Sequence, residues 1–187
     1  MKPLLGFDGV TCRRGGRLLF EYLDLKIGPG EALHLVGPNG CGKSSLIRLA
    51  AGLLRAEQGW IERSELALAD EGLALDRELP LKRALQFWGG RIDEAMNALG
   101  LTRLAHVPVR LLSTGQAKRA TLARVVASGA PLWLLDEPLN GLDTNAAERL
   151  DQLIRSHREA GGAVLAASHQ ALAGEWRTLE LGQGESL

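Results

Sequence analysis

The chain is poor in cysteine, has no excess charge of either sign and lacks long apolar runs. Cys12 and Cys41 are the only cysteines in 187 residues. Neither belongs to a Cys-x-x-Cys pair or a His/Cys cluster, which excludes a disulfide framework and a structural zinc site. Lysine plus arginine and aspartate plus glutamate both number 22, so no bulk field favours nucleic acid, and no nucleic-acid partner is expected. No stretch approaches the ~20 apolar residues that span a bilayer. The opening Met1-Lys2-Pro3-Leu4-Leu5-Gly6 is too short an apolar run for a signal peptide. The expectation is a soluble chain that reaches a membrane only through a partner. There is no internal repeat and no low-complexity tract. What is present is an ordinary globular composition, 45% hydrophobic and 24% charged, enough for the core of one domain.

Residues 18–27 alternate loosely apolar and polar and end at Gly28-Pro29-Gly30, which reads as an antiparallel hairpin closed by that turn. Ala32 to Val36 reads as a buried strand and Lys43 to Ala51 as a helix stopped by Gly52. Strand material follows around Trp60-Ile61 and Leu66 to Ala69. From about 76 to 128 apolar residues take helical spacing (Leu81, Leu85, Trp88; Ile92, Met96, Leu99). This predicts an inserted helical lobe whose last helix, Thr114–Ala127, lies between Ser113 and Gly129. Strands at 132–135, 162–167 and 178–181 and a helix over 144–160 complete the pattern. Alternation of strands and helices predicts an α/β fold: a mostly parallel core sheet, an N-terminal antiparallel β-subdomain and the helical insertion. The single domain spans 1–187, with its core in 1–75 and 129–187.

Gly37-Pro38-Asn39-Gly40-Cys41-Gly42-Lys43-Ser44 matches G-x-x-x-x-G-K-[ST] between a strand and a helix. The glycines let backbone N–H groups wrap phosphate oxygens at a helix start. Lys43 supplies charge for the β- and γ-phosphates, and the Ser44 hydroxyl can ligate Mg²⁺; Ser45 continues the cradle. Cys41 inside such a loop points to a reducing compartment. The apolar strand Leu132–Leu135 ends in Asp136-Glu137. Asp136 is expected to hold the metal and Glu137 to polarise the attacking water. Leu112-Ser113-Thr114-Gly115-Gln116 opens a helix about twenty residues earlier. Ser113 and the N–H groups of Gly115 and Gln116 offer a second anion site there. Two phosphate sites far apart in one chain suggest that they meet across a dimer.

The segment 112–116 resembles the ABC ATPase signature LSGGQ, with Thr114 in place of the first glycine. Asn140-Gly141-Leu142-Asp143 resembles the loop that crosses that family's dimer interface, and His169 resembles its switch histidine at the γ-phosphate. The resemblance covers nearly the whole chain and implies an ATP- and Mg²⁺-dependent ATPase with Lys43, Glu137 and His169 as catalytic residues. It also implies a homodimer of ATPase subunits on an integral membrane permease. Two positions depart from the family pattern. Arg14 stands near the place of the adenine-stacking aromatic, with Arg13 as the alternative if the hairpin register slips. Asp70-Glu71 stands where a glutamine is usual.

Within the family, the short chain, Thr11-Cys12-Arg13-Arg14, Ala117-Lys118-Arg119 after the signature and Leu132-Trp133-Leu134-Leu135-Asp136-Glu137-Pro138 resemble the haem-exporter ATPases of cytochrome c biogenesis. That resemblance implies haem export or haem-chaperone release. The haem would be handled by the partner complex, and the chain would sit peripherally on the cytoplasmic face of the inner membrane. A transporter for another substrate is the competing reading, and a soluble ABC ATPase a weaker one. The long coiled-coil insertion of the DNA-repair type is absent, there is one ATPase domain rather than two in tandem, and no N-K-x-D guanine motif occurs. Phe87 and Trp88, at the start of the lobe, fit either a docking face for the partner or the lobe's own core.

Overall fold

The computed structural model describes residues 2–182. β1 (Leu5–Arg14) and β2 (Arg17–Ile27) pair antiparallel. The two-residue loop that joins them is Gly15-Gly16, with both residues at positive φ, as a primed hairpin turn requires. The hairpin therefore closes at Gly15-Gly16 and not at Gly28–Gly30. The latter turn instead carries the chain into a second sheet, because β3 (Ala32–Val36) pairs only with strands of that sheet. After α1 (Lys43–Ala51), β4 (Gln58–Arg63) returns to the free edge of β1, giving a three-stranded antiparallel sheet ordered β2-β1-β4. β5 (Leu66–Ala69) begins after only two intervening residues but belongs to the other sheet. The strand material at 60–69 is thus two strands in two sheets.

Three helices and two 3₁₀ turns follow: α2 (Leu81–Gln86), α3 (Ile92–Ala98), the turns at 102–104 and 109–111, and α4 (Thr114–Ser128). Leu81, Leu85, Ile92, Met96 and Leu99 are buried, as their spacing predicts, whereas Trp88 is partly and Phe87 largely exposed. The chain then alternates β6 (Leu132–Asp136), α5 (Thr144–Glu159), β7 (Ala163–Ala167) and β8 (Arg177–Glu180). The second sheet is parallel and ordered β5-β6-β7-β3-β8.

Successive side chains of a strand point to opposite faces, and here both faces are buried. Leu132 and Leu134 of β6 pack with Leu46, Ile47 and Leu49 of α1 and with the inner face of β1. Trp133 and Leu135 pack with Leu150 and Ile154 of α5 and with the lobe helices. Each such fully buried side chain contributes roughly 1.5–3 kcal/mol, so the two cores fix β6 from both sides. This rigidity matters because β3, β6 and β7 run parallel and end together. Their carboxyl ends, where ligands bind in open α/β sheets, carry Gly37, Asp136-Glu137 and Ser168-His169. Among the described residues no helix is long and apolar enough to cross a membrane.

Candidate nucleotide-binding site

The loop after β3 folds over the start of α1. Gly42 caps the helix in a left-handed conformation, and no side chain caps it. The first N–H groups of α1 are therefore available to an anion. Lys43 is only 7% exposed. Its ammonium donates to the carbonyls of Gly37 at 2.7 Å and Pro38 at 3.1 Å. The charge is thus held inside the loop, over the cradle that its glycines form.

Across from it stands the end of β6. Asp136 is buried. Burial pushes its carboxyl above the usual carboxylate range; a hydrogen bond with Ser44 opposes this, Glu137 adds to it, and Arg48 opposes it. A hydroxyl and a desolvated carboxylate in contact form a hard oxygen pair of the kind Mg²⁺ takes, and a cation there would relieve the cost of burying Asp136. The donor set fits the metal that the sequence implies.

Glu137 sits at φ 45, a left-handed conformation uncommon for a residue with a side chain. Such backbone costs about 1–3 kcal/mol and persists where the surroundings over-determine it. Here the Glu137 N–H donates to Ala167 O at 2.8 Å. The His169 N–H donates to Glu137 Oε2 at 3.4 Å, and His169 Nε2 lies 3.4 Å from Oε1. The end of β7 thus holds Glu137 at its backbone through Ala167 and at its carboxylate through His169. One cleft of about 520 Å³ is lined by Asn39, Gly40, Gly42, Lys43, Ser44 and Ser45 together with Glu137, His169, Arg14 and Glu71. The fold brings these sequence-predicted residues together from five separate segments.

At the two positions that depart from the family pattern, neighbouring residues face different ways. Arg13 is turned away, ion-paired with Glu57 at 3.3 Å and hydrogen-bonded to Gly16 O. Arg14, on the opposite face of β1, lines the cleft. Asp70 accepts a hydrogen bond from the Gly72 N–H, whereas Glu71 lines the cleft. Leu19, Arg48 and Asn140 also line it. Arg48 was readable, since it lies one helical turn beyond Ser44 and therefore on the same face.

Ser113, Gly115 and Gln116 do not line this cleft. They start α4, where Ser113 and Gln116 form a reciprocal capping box: the Gln116 N–H donates to Ser113 Oγ and the Ser113 N–H to Gln116 Oε1. The Gln116 N–H is therefore taken, not free as the sequence suggests. Gly115 packs against the segment 140–143, and a Cβ there would lie 2.6 Å from Gly141 O. Further along α4, Lys118 donates to Asp136 O at 3.2 Å. Burial lowers the Lys118 pKa, opposed by Asp136, Asp70, Glu137 and Glu71. The sequence marks Lys118 only as half of a basic pair, because its partner is on another element.

A family model described as ABC transporter matches residues 20–140. The cytochrome c biogenesis ATP-binding export protein CcmA of Sphingopyxis alaskensis is 58% identical over 181 residues, covering 92% of this chain and 93% of the relative. The protein of the same name from Novosphingobium aromaticivorans is 60% identical, covering 88% and 87%. That from Zymomonas mobilis is 51% identical, covering 95% and 84%. Among solved structures, an ATP-binding subunit of an ABC transporter superimposes with TM-score 0.87 at 23% identity, over 97% of this chain and 87% of that one. A metal-chelate type ABC transporter in an inward-facing conformation gives 0.81 at 26%, over 97% and 80%. The chain belongs to the ABC transporter ATP-binding family and, within it, to the cytochrome c biogenesis ATP-binding export proteins.

Proposed function

We propose that the chain binds Mg²⁺-ATP in the cleft between the loop 37–45 and the end of β6, and hydrolyses it when a second copy closes over the nucleotide. Lys43 and the N–H groups at the start of α1 hold the β- and γ-phosphates. Ser44 and Asp136 hold the metal, which supplies charge neutralisation at the phosphates. Glu137 orients and polarises the attacking water, and His169 meets the γ-phosphate. Arg14 lies over the adenine in place of an aromatic ring, and Glu71 takes the position of the missing glutamine. Ser113 and Gly115, with the N–H groups of Thr114 and Gly115 left by the capping box, face the γ-phosphate held by the partner copy. Residues 76–128 move as a lobe on the rest of the domain when the dimer closes.

The observation that carries this reading is the Glu137 carboxylate, held on strained backbone by His169 and opening onto the same cleft as Lys43. The test is Glu137→Gln in the purified chain. The substitution keeps the side chain's size and removes its charge. General-base contributions are about 10²–10⁴-fold, so turnover should fall by at least about a hundredfold. Nucleotide affinity should stay near wild type, and ATP should convert the variant to a dimer on size exclusion. Wild-type turnover in Glu137→Gln would overturn the role.

The relatives are named as cytochrome c biogenesis export proteins. On that basis the dimer drives an integral membrane permease from the cytoplasmic face of the inner membrane. The haem that is exported, or carried off by a chaperone, is held by the partner complex.

A further inference from the structure

His169 lies in the irregular segment 168–176, between β7 and β8. The β3–β7 ladder stops at Leu35 and Ala167, because beyond Val36 the chain turns into the phosphate loop. Ser168 is the first residue past the ladder and is only 2% exposed. A buried carbonyl in that position needs a partner from elsewhere. His34 supplies it: its imidazole Nε2 lies 3.0 Å from Ser168 O. His34 belongs to β3, three residues before Gly37, so one side chain ties the strand that leads into the phosphate loop to the residue that precedes His169.

Beside this contact is an open surface hollow of about 470 Å³ lined by His34, His169, Gln170 and Trp176, among others. Packing holds the segment at Leu172, which is buried in the core, and not at His169, which is exposed. Other ties hold the segment as well: the Arg158 guanidinium donates to Glu175 O at 2.9 Å, and His169 itself reaches the Glu137 carboxylate. The Gln170 N–H donates to Ser168 Oγ at 3.0 Å, and Gln170 Nε2 reaches Asn140 Oδ1 at 3.5 Å. Trp176 stands edge-on to the His34 ring at 6.1 Å and keeps its own Nε1–H on Ala173 O. The His34 bond is the one that ties the residue before His169 to β3.

We infer that His34 is a positioning residue for ATP hydrolysis: by donating to Ser168 O it sets the height of His169 over the cleft. The inference rests on the proposed role of His169 at the γ-phosphate. Donation requires hydrogen on Nε2, which the Nε2–H tautomer and the protonated ring both provide. The bond touches no nucleotide-binding group, so its loss should act on turnover and not on affinity.

The experiment compares His34→Gln with His34→Met in the full chain. The two side chains are close in length and flexibility, but only glutamine keeps an N–H donor near the Nε2 position. Steady-state ATPase and nucleotide affinity are measured beside wild type and Lys43→Ala. His34→Gln should retain kcat within about twofold. His34→Met should lose about three- to tenfold in kcat, the worth of one neutral hydrogen bond, with KM for ATP unchanged. Equal activity of the two variants would overturn the inference, whether both match wild type or both are reduced. So would a Met variant whose loss lies in nucleotide affinity, or one that fails to fold while the Gln variant folds. An inactive wild type would instead count against the ATPase reading itself.

Discussion

At the residue scale the site is a set of charges placed against their own preference. Lys43 is buried among carbonyls, Asp136 is buried beside Glu137, and Glu137 sits on left-handed backbone. Each costs stability, and the proposed Mg²⁺-ATP would offset the cost of the two buried charges. Arg14 is different, because it stands at the cleft without an ion pair or hydrogen bond among the described residues. A guanidinium plane stacks on a purine with about 0.5–2 kcal/mol. Arg14→Ala should therefore weaken ATP binding by roughly two- to thirtyfold, read by nucleotide titration, while Arg13→Ala leaves it unchanged. Equal affinities in all three proteins would leave Arg14 a surface residue. The two arginines cannot be told apart in the sequence without the register of β1, which shifts three times between Phe7 and Arg13. The phosphate loop and Asp136-Glu137 needed no register, because each is contiguous and flanked by the elements it requires. Gly115 gives a second expectation. Its missing Cβ makes room for Gly141 O, so Gly115→Ala must displace the 140–143 segment. ATP affinity of the single chain should stay within about twofold, while hydrolysis falls by roughly tenfold or more, in keeping with the loss from a small misplacement of a catalytic group.

At the element scale, local signals were sufficient where the element carries its own ends. Lys43–Ala51 is bounded in the sequence by a glycine loop and Gly52, and α4 by Ser113 and Gly129, and both bounds are found to within a residue. The sheets were less legible, since β4 and β5 adjoin in sequence yet pair with strands far away. The Trp133–His157 pair was invisible for the same reason. His157 of α5 stacks on the Trp133 ring of β6 at 3.9 Å and 9°. Its Nε2 and the Trp133 Nε1 are buried without hydrogen-bond partners among the described residues. Burial lowers the His157 pKa below its ordinary 6.5, and the backbone at Ala163 and Pro131 opposes that shift only in part. The folded chain thus keeps this ring neutral at pH values where the unfolded chain already binds a proton. The stability this ring contributes is complete above the unfolded pKa and is lost as pH falls from there through the folded one. A loss of about 1 kcal/mol moves the Tm of a domain this size by roughly 2–4 °C. Between pH 7.5 and 5.5 the Tm of wild type should fall more than that of His157→Phe, which keeps the stacked ring and cannot titrate. Parallel declines in calorimetry would show that His157 does not contribute to the acid limb.

At the scale of the whole molecule, the described residues include the cleft lined by Lys43 and Glu137 and no helix long and apolar enough to cross a membrane. Its large exposed apolar side chains include Phe87 at 82% and Trp88 at 44%, next to one another at the end of α2. Composition could not choose between a docking face and the lobe's core for this pair; exposure favours the first. Trp88 is also fixed, with its Nε1–H on Ala74 O and the Arg124 guanidinium 4.5 Å over its ring. On the proposed closure of the dimer, a rigid, exposed aromatic corner on the lobe passes its motion to a docked membrane protein, since a ligand shifts a two-state equilibrium by its preference for one state. What such a motion serves is not written in the cleft. It comes from the relatives, whose names place them in cytochrome c biogenesis. The decisive measurement is therefore made in the host. Cells lacking this chain should fail to assemble holo-cytochromes c, scored by haem staining, while b-type cytochromes form normally. Complementation with Lys43→Ala or Glu137→Gln should not restore them, because both keep the fold and interrupt the ATP cycle. Normal c-type maturation in the deletion strain would defeat the haem assignment and leave the ATPase standing. Loss of b-type cytochromes as well would point to a defect in haem supply, upstream of the step proposed for this subunit.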